Sequence, residues 1–93
     1  MITVCIQIGN SDDKLTQIEW VAFLHDVSVA VERWAKMVHF IGYSLPTAKW
    51  QNACYVFNLE AMDMDTLRQE ITKIREGYRQ ESVAWTEGET FFI

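Results

Sequence analysis

The chain has 93 residues, of which 49% are hydrophobic and 13% aromatic, and a formal charge of −5 at pH 7. That length supports one domain with one core, needing no disulfide or metal staple, and the composition excludes a disordered chain. An acidic surface repels phosphate backbones, so nucleic acid is not expected as a partner.

The chain opens with alternation: Ile2, Val4, Ile6 and Ile8 fall on one side, Thr3, Cys5 and Gln7 on the other. This is the period of a half-buried strand. Gly9-Asn10-Ser11-Asp12-Asp13 breaks the pattern with residues that favour turns. Thr16 and Glu19 then have the spacing of a capping box at the mouth of an apolar-periodic run. The run predicts a helix from about Gln17 to Lys36, with Trp20, Phe23, Leu24, Val27, Ala30, Val31 and Trp34 on its buried face. Three valines weaken its intrinsic propensity, so packing must hold it. Val38–Tyr43 predicts a second strand, in which alternation puts Val38 and Phe40 on one face and His39 on the other. Ser44–Lys49, with Pro46, is a connection, and Ala53–Leu59 is a third strand rich in aromatic and β-branched residues. A second helix is expected from Asp63 or Asp65, either of which can cap it, with Leu67, Ile71, Ile74 and Tyr78 as its stripe. Gly77 weakens its end. Ser82–Thr86 predicts a fourth strand, Gly88 a turn, and Phe91-Phe92-Ile93 an apolar tail.

The order β-α-β-β-α-β defines an α+β, ferredoxin-like sandwich, a single domain over residues 1–93. Right-handed crossovers give a four-stranded antiparallel sheet of order 4-1-3-2 with two helices on one face. The alternative is the same sheet closing with that of a second copy into a dimeric α+β barrel. Ile6, Ile8, Trp20, Leu24, Val27, Val31, Leu67, Ile71 and Ile74 are the expected core.

This topology brings three connections to one end of the sheet, and loops on a rigid scaffold are where binding groups gather. The candidate binding set there is Asn10, Ser11, Asp12, Asp13, Lys14, Trp50, Gln51, Asn52, Arg79 and Gln80, with Lys49 and Glu81 alongside. Each group has a plainer reading. Asp12 and Asp13 hold a turn more readily than a cation, since two adjacent carboxylates rarely suffice as ligands. Trp50 either stacks on a ligand or partner or covers the core. Arg79 either forks onto a phosphate or carboxylate or pairs internally with Asp12 or Asp13. The amides of Asn10, Gln51 and Asn52 bind or close loops.

Catalysis finds no support in the spacing. His25 and His39 have no nucleophile arrayed with them, and no Gly-rich phosphate loop, CxxC pair or HExxH is present. No cofactor and no metal is expected. Cys5 and Cys54 lie in strand-like runs, where free thiols are commoner than a bridge, although adjacent strands permit one. No apolar run is long enough to span a bilayer and no basic leader precedes the first strand, so a cytoplasmic protein without membrane contact is expected. Neither sheet face reads as fully polar, which favours a covered face and a homodimer. RNA-recognition motifs share the topology but stack bases on aromatic residues of strand one, and strand one here has none.

The segments IGNSDDKLTQIEW, WQNACYVF and YRQESVAW resemble a group of small proteins encoded by actinobacterial phages. The resemblance implies a phage or mobile-element protein made inside a bacterial host, and implies no activity. The expectation is a non-enzymatic protein-interaction module, counter-defence or regulatory in role. The alternative is a protein that binds or sequesters a small ligand, such as a nucleotide-like signal, with the loops at one end of the sheet.

Overall fold

A computed structural model describes residues 2–10 and 12–93. The elements are β1 (Ile2–Gly9), α1 (Gln17–Trp34), β2 (Met37–Tyr43), β3 (Asn52–Leu59), a 3-10 turn (Ala61–Asp63), α2 (Met64–Gly77) and β4 (Ala84–Glu89). All four strands join one sheet in the order β2-β3-β1-β4, and every pairing is antiparallel. This is the α+β ferredoxin-like order that the chain pattern predicts. β1 and β3 are central and share the longest ladder, from Ile2 opposite Leu59 to Gly9 opposite Asn52.

The core lies between one sheet face and the helices. Val4, Ile6 and Ile8 of β1 and Ala53, Tyr55, Phe57 and Leu59 of β3 are buried against Trp20, Phe23, Val27, Ala30 and Val31 of α1. Met64, Leu67 and Ile71 complete it from α2, while Leu24 and Ile74 pack at its margin. Tyr55 brings a hydroxyl into this layer and satisfies it there: the hydroxyl donates to the Leu24 carbonyl at 3.1 Å and accepts from Ser28 at 3.3 Å. Burial pushes that phenol up from its ordinary range. The helices are joined by Glu70, which accepts from Trp34 Nε1 at 2.6 Å and also pairs with Arg33.

Thr16 and Glu19 form the expected capping box, with Glu19 N–H donating to Thr16 Oγ1 at 3.2 Å and Thr16 N–H to Glu19 Oε1 at 3.1 Å. Other boundaries differ from the sequence reading. α1 stops at Trp34, two residues short of the expected end, because Ala35 is already extended. Asp63 precedes α2 but makes no side-chain cap bond; the 3-10 turn leads into the helix instead. β4 begins at Ala84 and runs through Gly88, where a turn was expected. Its inward Glu87 is tolerated at the sheet edge because Arg68 of α2 reaches it. β2 contains a bulge: Val38 pairs with Phe57 and Phe40 with Val56, so His39 is the extra residue. The bulge turns Val38 and Phe40 to opposite faces, against simple alternation. Among the described residues, no helix is long and apolar enough to cross a membrane.

Candidate functional site

The connections after β1, between β2 and β3, and after α2 meet at one end of the sheet, and their polar groups largely bind one another. Asn10 is 2% exposed. Its side chain closes the β1–α1 connection from both directions, with Nδ2 donating to the Leu15 carbonyl and Leu15 N–H donating to Oδ1, each at 3.0 Å. Asn10 N–H donates to the Gln51 carbonyl at 2.8 Å, which ties this connection to the start of β3. Gln51, also buried, exchanges amide hydrogen bonds with Gln17 at 2.8 and 3.0 Å. These amides therefore read as loop closure.

The charged members of the set sit outside that knot. Asp12 accepts from Lys14 N–H at 3.3 Å, and Lys14 Nζ lies 3.6 Å from Asp12 and 3.7 Å from Glu81. Asp13 takes a left-handed backbone (φ 56°) and donates its N–H to the Asn10 carbonyl. It serves the turn. Arg79 pairs with Glu19 at 2.7 Å, correcting the expected pairing with Asp12 or Asp13. The reason is positional: α2 delivers Arg79 to the first turn of α1, where the capping box leaves Oε2 of Glu19 free. Arg79, then the Thr16 N–H, holds the Glu19 carboxyl below its usual range. Sequence reasoning gave Glu19 its capping role only, and Gln17 no role at all.

Trp50 is 58% exposed, so it does not cover the core; Lys49 Nζ stands 5.3 Å from its ring centroid. Asn52 Nδ2 donates to the Trp50 carbonyl at 3.0 Å, and its backbone exchanges hydrogen bonds with Ser44, so it closes the β2–β3 connection on itself. Gln80 is buried and donates to the Tyr78 carbonyl at 3.2 Å. Ser11 lies outside the described residues. What remains open at this end is a depression of ≈ 360 Å³ lined by Gln7, Gly9, Asp12, Gln80, Glu81, Ser82 and Ala84.

A second cleft, ≈ 240 Å³, runs between α2 and β4 and is lined by Arg68, Ile71, Thr72, Arg75, Val83 and Trp85. Both of its guanidiniums are already engaged. Arg68 pairs with Glu87 and Asp65 and lies 5.2 Å from the Trp85 ring centroid, while Arg75 donates to the carbonyls of Gln80 and Glu81. The cleft is a seam of the fold.

The helix-free face of the sheet is different. Register places Thr3, Cys5 and Gln7 of β1, Cys54, Val56 and Asn58 of β3, and Ala84, Thr86 and Gly88 of β4 on it. β2 adds Met37, Phe40 and Gly42. None of these is Lys, Arg, Asp or Glu. Phe40 and Met37 are 56% and 58% exposed, and the Phe40 ring occupies the space a Cβ at Gly42 would need. Near one rim, Thr3 donates to the buried Asn58 at 3.0 Å and also pairs with Thr90, which brings the segment after β4 back against the sheet. Phe91, Phe92 and Ile93 follow it, all exposed. Alternation alone identified the candidate sets for this face but not which strand-two residues join them, because the bulge is invisible to a period of two.

Among the described residues, no group of three or more His, Cys, Asp and Glu side chains is gathered as a metal-binding set. No family model, curated protein or solved structure matches the chain.

Proposed function

We propose that the chain is a non-enzymatic interaction module that self-associates through the helix-free face of its sheet. The observation that carries this reading is a face crossing all four strands without a charged residue, in a chain of formal charge −5. Depletion of charge with exposed aromatic and Met side chains is the composition of an interface centre. Two acidic copies repel through most of their surfaces, and this face is where they can meet without opposing like charges. The molecule measures 38 × 28 × 19 Å, and its broad side has room for the ~800 Å² per partner of a standard interface. A two-fold arrangement would set Phe40 and Val56 of each copy against the other. It leaves the loop end free for a further protein partner. The resemblance of the loop segments to phage proteins is the ground for placing this interaction inside a bacterial host, where we propose a counter-defence or regulatory role.

Sedimentation at micromolar concentration tests the reading. A dimer is expected for the wild type and a monomer for Phe40→Asp, with unchanged secondary structure; a wild-type monomer overturns it. The small-ligand reading is carried by the depression at the loop end, whose lining includes the carboxylates of Asp12 and Glu81. Those two carboxylates oppose a phosphate-bearing ligand there and favour a neutral or cationic one. Release of a small molecule on denaturing the purified protein would support this second reading.

A further inference from the structure

Cys5 of β1 and Cys54 of β3 are diagonal neighbours across the central ladder, Cys5 standing opposite Val56 and Cys54 opposite Gln7. Their sulfurs are 3.4 Å apart, within reach of a shared S–H, although the residues are 49 positions apart in the chain. Both thiols are free and half-buried on the helix-free face, outside the packed core. Cysteines serving only as small apolar filler belong on the inward face, where Val4, Ile6, Ala53 and Tyr55 already fill the layer. These two instead meet one another where solutes can reach them. The ladder on either side holds the two strands together, so joining the sulfurs, now 3.4 Å apart, asks for side-chain rotation and a small approach of the two strands at this diagonal, with no loop rearrangement.

We propose that Cys5 and Cys54 form a reversible dithiol–disulfide couple, oxidised by exchange with a low-molecular-weight disulfide such as oxidised glutathione, that staples β1 to β3 across the open face. The couple operates in the molecule with that face uncovered: where copies associate through it, the exchange and its test apply to the dissociated form, at a dilution at which sedimentation shows a monomer. One protein thiolate attacks the glutathione disulfide, forms a mixed disulfide and releases the first glutathione thiolate. The second protein sulfur then attacks the mixed disulfide at the protein sulfur, closing the Cys5–Cys54 bond and releasing the second glutathione. Two protein thiols are oxidised, one glutathione disulfide is reduced, and the two thiol protons end on the two glutathiones. Burial, and then Cys54 itself, push the Cys5 thiol up.

The test is incubation of the folded full-length protein with oxidised glutathione, quenching with an alkylating agent, and intact-mass measurement. The expected product is the wild-type mass less two hydrogens, carrying no alkyl label and no glutathione, and returned to the dithiol by dithiothreitol. Cys5→Ser and Cys54→Ser should each stop at a single glutathione adduct. The oxidised wild type should melt about 10 °C or more above the reduced form, because the bond closes a long loop. A wild type that keeps two alkylatable thiols, accumulates mixed adducts or links between molecules overturns the couple. An unchanged or lower Tm overturns the staple.

Discussion

Asn10 and Gln51 meet twice, through the Asn10 N–H to the Gln51 carbonyl at 2.8 Å and through Asn10 Nδ2 to Gln51 Oε1 at 3.3 Å. The same Nδ2 serves the Leu15 carbonyl. A donor is therefore required at that atom, and an isosteric acceptor would face two oxygens in a buried place. Asn10→Asp should cost about 2–3 kcal/mol at neutral pH and more than Asn10→Ala, although it changes the shape least. Urea unfolding of both variants decides the order. If Asp is the milder change, the amide's donor role is wrong.

Arg79 is the left-handed residue (φ 58°) that ends α2. Gln80 N–H reaches the Arg75 carbonyl and Arg79 N–H the Glu76 carbonyl, each at 3.1 Å, which makes the closing turn a Schellman motif. Glycine is the usual occupant, so arginine carries a backbone cost of ~1 kcal/mol that its side chain must offset. Its exposed pair with Glu19 is worth no more than about 1 kcal/mol. Arg79→Gly should therefore be neutral or stabilising by up to about 1 kcal/mol, whereas Arg79→Ala should destabilise by about 0.5–1 kcal/mol. Thermal melts of both variants, repeated with Glu19→Gln, separate the turn from the ion pair.

Tyr78 packs its ring 5.0 Å from that of Phe23 and donates its hydroxyl to Asp26 at 2.6 Å. Burial first, and then Asp26, push its phenol from 10.0 up to about 12. In that window the unfolded chain loses the phenolic proton while the folded chain keeps it. The contribution to stability is thus complete below pH 10 and lost as pH rises towards about 12. Urea midpoints of wild type and Tyr78→Phe should differ by a constant amount below pH 10 and converge above it. A constant difference through pH 12 would contradict the shifted phenol.

Leu67 is fully buried and Ile74 only partly so, although both belong to one stripe of α2. Leu67→Ala should cost about 2–5 kcal/mol, and Ile74→Ala less. Equal losses would mean that α2 is rotated from the orientation described.

The fold was legible because burial repeats with the period of each element. Val4, Ile6 and Ile8 alternate, while Trp20, Phe23, Val27 and Val31 recur at helical spacing. Leu67 and Ile71 do the same on α2. The loop end was legible only as a place. Its pairings depend on which side chains lie a bond length apart, and Arg79 found Glu19 because α2 ends over the first turn of α1. The bulge at His39 left no local mark, since its cause is the register against β3. β4 was misplaced because Glu87 and Gly88 read as loop, and their place in the sheet comes from Val4 and Thr3 opposite.

Phe40 and Gly42 give the last prediction, because the two are bound by one steric fact. The Phe40 ring lies over Gly42, where any Cβ would collide with it, so glycine here sets where the aromatic ring sits on the open face. Gly42→Ala must push the ring away, while Phe40→Ala removes it and leaves the backbone as it was. Phe40 is 56% exposed, so in a lone molecule its truncation should cost less than about 1 kcal/mol. If the face is a self-association surface, both variants should weaken dimerisation at least tenfold, which corresponds to about 1.4 kcal/mol per dimer. Adding Phe40→Ala to Gly42→Ala should then cause little further loss, since the first change has already displaced the ring. Sedimentation equilibrium on the two single variants and the double variant reads all of these at once. Independent, additive losses would show that the ring's placement over Gly42 has no part in association, and full-strength dimers in all variants would remove this face from the interface.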